Sequence, residues 1–117
     1  MMPPPDSGRS VFRLDTFLCP AAHVAAFAER LATIHGYVGT LDGCLYNRVL
    51  VAHGTPVVKI ATLVEWRDAA AMAAAKTAMA DFHAKEGFDP ARFMAELEII
   101  GEFGSYHDAL YDGKTVT

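Results

Sequence analysis

Residues 57–72 constrain the fold of this chain more than any other stretch. A β-branched, apolar run from 57 to 64 leads into Trp66, the only tryptophan, and Asp68 then stands where the N-cap of an Ala-rich helix belongs. With period-2 alternation, Val58, Ile60, Thr62 and Val64 share one side of the strand, and Val57, Lys59, Ala61, Leu63 and Glu65 share the other. Both sides are largely apolar, whereas an antiparallel sheet with one wet face alternates apolar with polar. This strand demands cover on both faces. Trp66, at the mouth of a sheet beside a helix start, is either the wall of a small-molecule pocket or a core or interface anchor.

The elements around it follow from spacing. Residues 11–18 alternate as a first strand, with Phe12, Leu14, Thr16 and Leu18 on one face and Val11, Arg13, Asp15 and Phe17 on the other. Pro20 suits the first turn of a helix whose stripe is Val24, Phe27, Leu31, Ile34 and Val38. A second strand covers 44–52, a short loop 53–56 follows, and the third strand runs to Glu65. The second helix, 68–85, carries Met72, Ala75, Met79 and Phe82, and Gly87 stops it. Asp89-Pro90 opens a short third helix bearing Phe93, Met94, Leu97 and Ile100, and 102–111 reads as a last strand. The order β-α-β-β-α-(α)-β is the ferredoxin-like one.

Two helices cover only one face of such a sheet. The other is then buried against a copy of the chain, which predicts a homodimer. The apolar fraction of 52% and mean hydropathy of +0.19, high for one 117-residue domain, point the same way. Residues 11–112 form that domain, with 1–10 a loosely held or disordered arm and 113–117 a tail. The net charge of −4 and the scattered basic residues argue against a nucleic-acid partner. No segment has the length of apolar chain that a membrane helix needs. Cys19 and Cys44 lack metal-site spacing and disulfide density, so they are read as reduced thiols in a cytoplasmic protein.

Gly43-Cys44-Leu45 opening the second strand, Glu65-Trp66 closing the third and Asp68-Ala69-Ala70 opening the helix resemble the antibiotic biosynthesis monooxygenase family, over about residues 11–110. The resemblance implies a dimeric α+β barrel of two ferredoxin-like protomers. It also implies oxidation of a phenol, quinol or anthrone by O2 without flavin, haem or metal. Such chemistry needs a dry pocket and a proton acceptor, because a phenol with a pKa near 10 is mostly protonated at neutral pH.

His83, at the edge of the second helix's stripe, is the candidate base; the alternative is a helix-end histidine favoured by the dipole. Trp66, Asn47, Tyr46, Met79 and Phe82 are the candidate substrate contacts. Asn47, between Leu45 and Val49 in an apolar row of the second strand, must find partners, either a substrate hydroxyl or a neighbouring element. The family commonly has an aromatic near that position, so Asn47 departs from it. Tyr46 is a dimer-face aromatic or a pocket donor, and Met72, Met79 and Phe82 are core or cavity lining. His35 is read as a satisfied histidine near its helix end, and His23 and His53 as solvent-facing. His107 is assigned to neither face of the last strand. Arg13 and Asp15 share a face of the first strand, and their pairing is read as structural.

Two other functions compete. A non-catalytic, dimeric binding or stress-associated module needs only the pocket and the dimer face; a titratable group inside the pocket discriminates against it. A haem-degrading relative would require an asparagine on the first strand, a strand-end tryptophan and a second-helix histidine. Here only Trp66 fits cleanly, since 12–18 holds no asparagine and His83 falls late in its helix.

Overall fold

The computed structural model describes residues 9–110. Four strands form one antiparallel sheet: β1 (Val11–Pro20), β2 (Cys44–Ala52), β3 (Val57–Trp66) and β4 (Ile100–Tyr106), in the order β2-β3-β1-β4. A short turn of 3-10 helix at Ala21–His23 leads into α1 (Val24–Val38); α2 (Ala69–Glu86) and α3 (Pro90–Glu96) separate β3 from β4. This is the α+β, ferredoxin-like arrangement that the alternation and helical spacing predict. Of the expected terminal arm and tail, residues 1–8 and 111–117 lie outside the described residues. Arg9 is buried and Ser10 half-buried, so the chain is held from there on.

Local chemistry sets the helix ends. The Asp68 carboxylate accepts a hydrogen bond from the Ala71 amide at 2.8 Å, and Gly87 (φ 65°) closes α2 in the left-handed region. Replacing Asp68 by alanine should cost about 1 kcal/mol in urea denaturation, with asparagine restoring most of it. Gly43 (φ 87°) cannot be enlarged: a Cβ there would lie 2.5 Å from the Ala71 Cβ, so the entry to β2 rests directly on the first turn of α2.

Two expectations are corrected. The third helix does not reach Ile100, because Glu98 (φ 57°) ends the turn and the Ile99 amide bonds back to the Met94 carbonyl at 2.8 Å. Ile100 instead opens β4, which stops at Tyr106 and leaves His107 exposed beyond it. The second correction concerns β2. A register shift between Cys44 and Tyr46 sets Tyr46 opposite Glu65 and Asn47 opposite Val64, so Leu45 is not in the Asn47 row.

The helices cover the face bearing Val11, Phe17, Val58, Ile60 and Val64. Its core is split. One cluster joins Phe17, Cys19, Phe27, Leu31, Val58, Ile60 and Ile99, with Phe17 and Phe27 edge to face at 5.0 Å. The other joins Val11, Val38, Val64, Trp66, Ala71 and Ala75. Between them, on the same face, the central strands carry Arg13, Asp15 and Thr62 rather than aliphatic side chains; Asp15 and Thr62 are direct register partners. A polar band there interrupts the packing that would otherwise fuse the clusters.

Candidate active site

The interruption is a cavity. A volume of ≈ 690 Å³ lies between sheet and helices, within the size range of small-molecule sites. Most of its wall is apolar, with Trp66, Met72, Met79, Phe88, Phe93 and Phe103 among the larger side chains. The polar groups are few: Arg13, Asp15 and Thr62 from the sheet, Arg30 and His35 from α1, Lys76 and His83 from α2.

Most of these groups have an identifiable partner or setting, although Arg30 Nε is buried without a hydrogen-bond partner among the described residues. Arg13 donates from Nε to Asp15 Oδ1 at 2.6 Å and sits 5.7 Å from the Phe103 ring centroid. That pair lies along one strand, on the helix-covered face; it does not bridge strands. Thr62 is 3% exposed, at the centre of the floor. The Arg30 guanidinium lies 3.6 Å from the Phe88 ring centroid and donates to Glu86 Oε1 at 2.5 Å. The same Nη2 is 3.5 Å from His83 Nδ1. Burial, then the positive charge of Arg30, pushes the His83 imidazole below its ordinary pKa, with Glu86 opposing. His83 is therefore a neutral imidazole at neutral pH, packed against Phe82 and Phe88.

His35 is satisfied through Asn47, as the sequence suggests. Asn47 Oδ1 lies 2.7 Å from His35 Nδ1, and Asn47 Nδ2 donates to the His35 carbonyl at 2.8 Å. The strand amide thus holds both the ring and the backbone of the last turn of α1, yet His35 itself lines the cavity.

Of the six candidate residues, Trp66, Met79 and His83 line the cavity. Trp66 meets both of its sequence readings at once, being 4% exposed within the second core cluster as well as part of the wall. Asn47 stands behind His35. Phe82 turns away to stack on Tyr37, ring centroids 4.3 Å apart, and is not part of the wall. Tyr46 is on the opposite face of the sheet, exposed and covered only by Arg48 at 4.5 Å. Sequence reasoning missed Arg13, Asp15, Thr62 and Arg30. The signal was present: charged or hydroxylated residues recur at alternate positions on a face whose other members are Val, Phe and Ile. Cys19 and Cys44 are free, and burial pushes both thiols up, so neither is a thiolate nucleophile near neutral pH.

No protein-family model and no curated protein matches the sequence. Solved structures match its fold. A conserved protein from Methanosarcina mazei Go1 has a TM-score of 0.67 at 17% identity, covering 88% of this chain and 96% of the other. A provisionally assigned antibiotic biosynthesis monooxygenase from Deinococcus radiodurans gives 0.63 at 18%, covering 92% and 96%. SnoaB, a cofactor-independent oxygenase from Streptomyces nogalater, gives 0.63 at 21%, covering 85% and 92%. The chain has the α+β fold of the antibiotic biosynthesis monooxygenases, as the Gly43-Cys44, Glu65-Trp66 and Asp68-Ala69-Ala70 motifs imply. Among the described residues no helix is long and apolar enough to cross a membrane, and no group of three or more His, Cys, Asp or Glu side chains is placed to hold a metal ion.

Proposed function

We propose that this chain is a cofactor-independent monooxygenase acting on a small phenol, quinol or anthrone inside the cavity, as a homodimer formed through the uncovered face of the sheet. The observation that carries the reading is that two imidazoles, His35 and His83, line a mostly apolar cavity of this fold. A titratable group inside the wall is what a plain binding module does not need. For an anthrone the reaction balances without an external reductant. The ring methylene loses two hydrogens and four electrons; one atom of O2 becomes the new carbonyl oxygen, and the other leaves as water with both hydrogens. The protein's share is to exclude water, hold the ring against Trp66 and the phenylalanines, and accept the hydroxyl proton on a cavity imidazole. A reducing, cytoplasmic setting suits the two free thiols.

O2 consumption by metal-free protein with a panel of hydroquinones and anthrones tests this directly. Turnover above the uncatalysed rate is expected, and His83→Ala should lower it by about 10²-fold or more. No uptake above background with any member of the panel rejects the monooxygenase and leaves the binding module. Unchanged uptake in the variant removes His83 from the chemistry.

The depressed pKa of His83 also sets a pH dependence of stability. As pH falls through about 6.5, the unfolded chain protonates this imidazole before the folded one does. The contribution is therefore neutral above that pH and destabilising below it, levelling off once the folded group titrates. Urea midpoints at pH 8 and pH 5.5 should fall further for the wild type than for His83→Gln.

A further inference from the structure

We infer that His35 is the residue that accepts the substrate's hydroxyl hydrogen, that Asn47 is the positioning residue fixing its tautomer, and that the ligand is therefore a hydroxyarene carrying a second oxygen. The inference deepens the monooxygenase reading and rests on it for turnover, though its hydrogen-bond content stands apart from catalysis.

The orientation of Asn47 is settled by a group that has no choice. The His35 carbonyl can only accept, so the amide atom 2.8 Å from it is Nδ2 and the atom 2.7 Å from the ring is Oδ1. Oδ1 in turn can only accept, so His35 Nδ1 carries a hydrogen. In a neutral ring that leaves Nε2 with a bare lone pair. His35 lines the cavity and Asn47 does not, so the free nitrogen is the one a ligand meets.

His83 is biased the other way. Its neighbour at Nδ1 is the Arg30 guanidinium, which can only donate. At 3.5 Å that contact is long, but the charge still favours a lone pair on Nδ1, and a neutral ring then bears its hydrogen on Nε2. One cavity thus presents two imidazoles in opposite tautomers, an acceptor from α1 and a donor from α2. A ring with one hydroxyl and one carbonyl or second hydroxyl oxygen satisfies both; an unsubstituted arene leaves both unpaired. In turnover the substrate O–H bond breaks, the electron pair stays on oxygen, and an N–H bond forms at His35 Nε2. The resulting imidazolium keeps its Nδ1 hydrogen on Asn47 Oδ1, so proton uptake requires no movement of the ring.

Imidazole nitrogen NMR of uniformly ¹⁵N-labelled protein at about pH 8.5 reads the tautomer without any substrate, with His35→Gln assigning the signal. His35 should show the Nδ1–H form. Asn47→Asp retains the acceptor and should retain that form, while Asn47→Leu should lose it. A mere packing role for Asn47 predicts the same tautomer in both variants. An Nε2–H form in the wild type overturns the assignment. Calorimetric titration with 2-naphthol and its methyl ether then tests the hydroxyl contact to His35. The naphthol should bind about tenfold more tightly, with the preference abolished in His35→Leu. Equal binding of the two, or binding of neither, overturns it. Absence of O2 uptake would reject the reaction while leaving both readouts as expected, so the two failures are distinguishable.

Discussion

Trp66→Ala should lower the stability of the fold by about 3–5 kcal/mol, a large part of what a domain of this size possesses. Trp66 is 4% exposed and is paired in register with Val11 on one side and Cys44 on the other. It packs with Val38, Val64, Ala71 and Ala75. The cost of truncating a core side chain depends on whether its surroundings can collapse into the space, and here they cannot do so readily. The two alanines are too short to reach across, and the indole already borders the cavity, so the void would open into existing space. The loss should therefore fall at the upper end of the range. Trp66→Phe keeps most of the apolar volume and should cost about a third as much. Circular dichroism against urea is the suitable readout, since the variants remove the only indole fluorophore. A loss under 1 kcal/mol for the alanine variant would make Trp66 a pocket wall with little part in the core.

How much of this was legible in the sequence depended on how local the determinants are. Strand alternation, the Asp68 and Asp89 caps and the Gly87 stop act within a few residues, and each element they mark is present. Ile100 was misplaced because helical spacing continues through it, while the turn that ends α3 depends on Glu98 taking a positive φ, which residue type does not foretell. The site was less legible, for a different reason. Arg13 and Asp15 are close in sequence, but their meaning depends on β3 placing Thr62 beside them and on helices closing over all three. The contact between Asn47 and His35 joins β2 to the end of α1, and the one between Arg30 and His83 joins two helices. Residue type suggested that each needed a partner; only the fold supplies which one. Tyr46 is the local case, since it alternates with Asn47 in an unbroken register from 46 to 52, which leaves it on the uncovered face.

A charge placed at the centre of the uncovered sheet face should convert a dimer into a monomer. On that face Leu18 is 45% exposed, Leu50 50%, Ile100 66% and Tyr106 52%, with Phe12, Leu14, Ala61 and Leu63 half-buried between them. These side chains come from all four strands, with Arg48, Lys59, Glu65 and Glu102 interspersed among them on the same face, and a monomer seldom leaves so much apolar surface to water. Leu63 is the suitable target. It lies on β3, in register with Leu14 and with Arg48, at the middle of the face. In a two-fold pairing each substitution is presented twice, so Leu63→Asp brings two carboxylates into the interface, each beside the Arg48 of its own chain. At about 2 kcal/mol for each after that partial compensation, association should weaken by about 10³-fold. Sedimentation equilibrium at micromolar concentration should therefore give a dimer for the wild type and a monomer for the variant; a monomeric wild type would reject the interface. The variant also separates assembly from the site. The cavity lies on the other face of the sheet and its walls come from one chain, so Leu63→Asp should bind 2-naphthol as the wild type does. Loss of naphthol binding along with the dimer would mean that the paired sheets hold the cavity in shape.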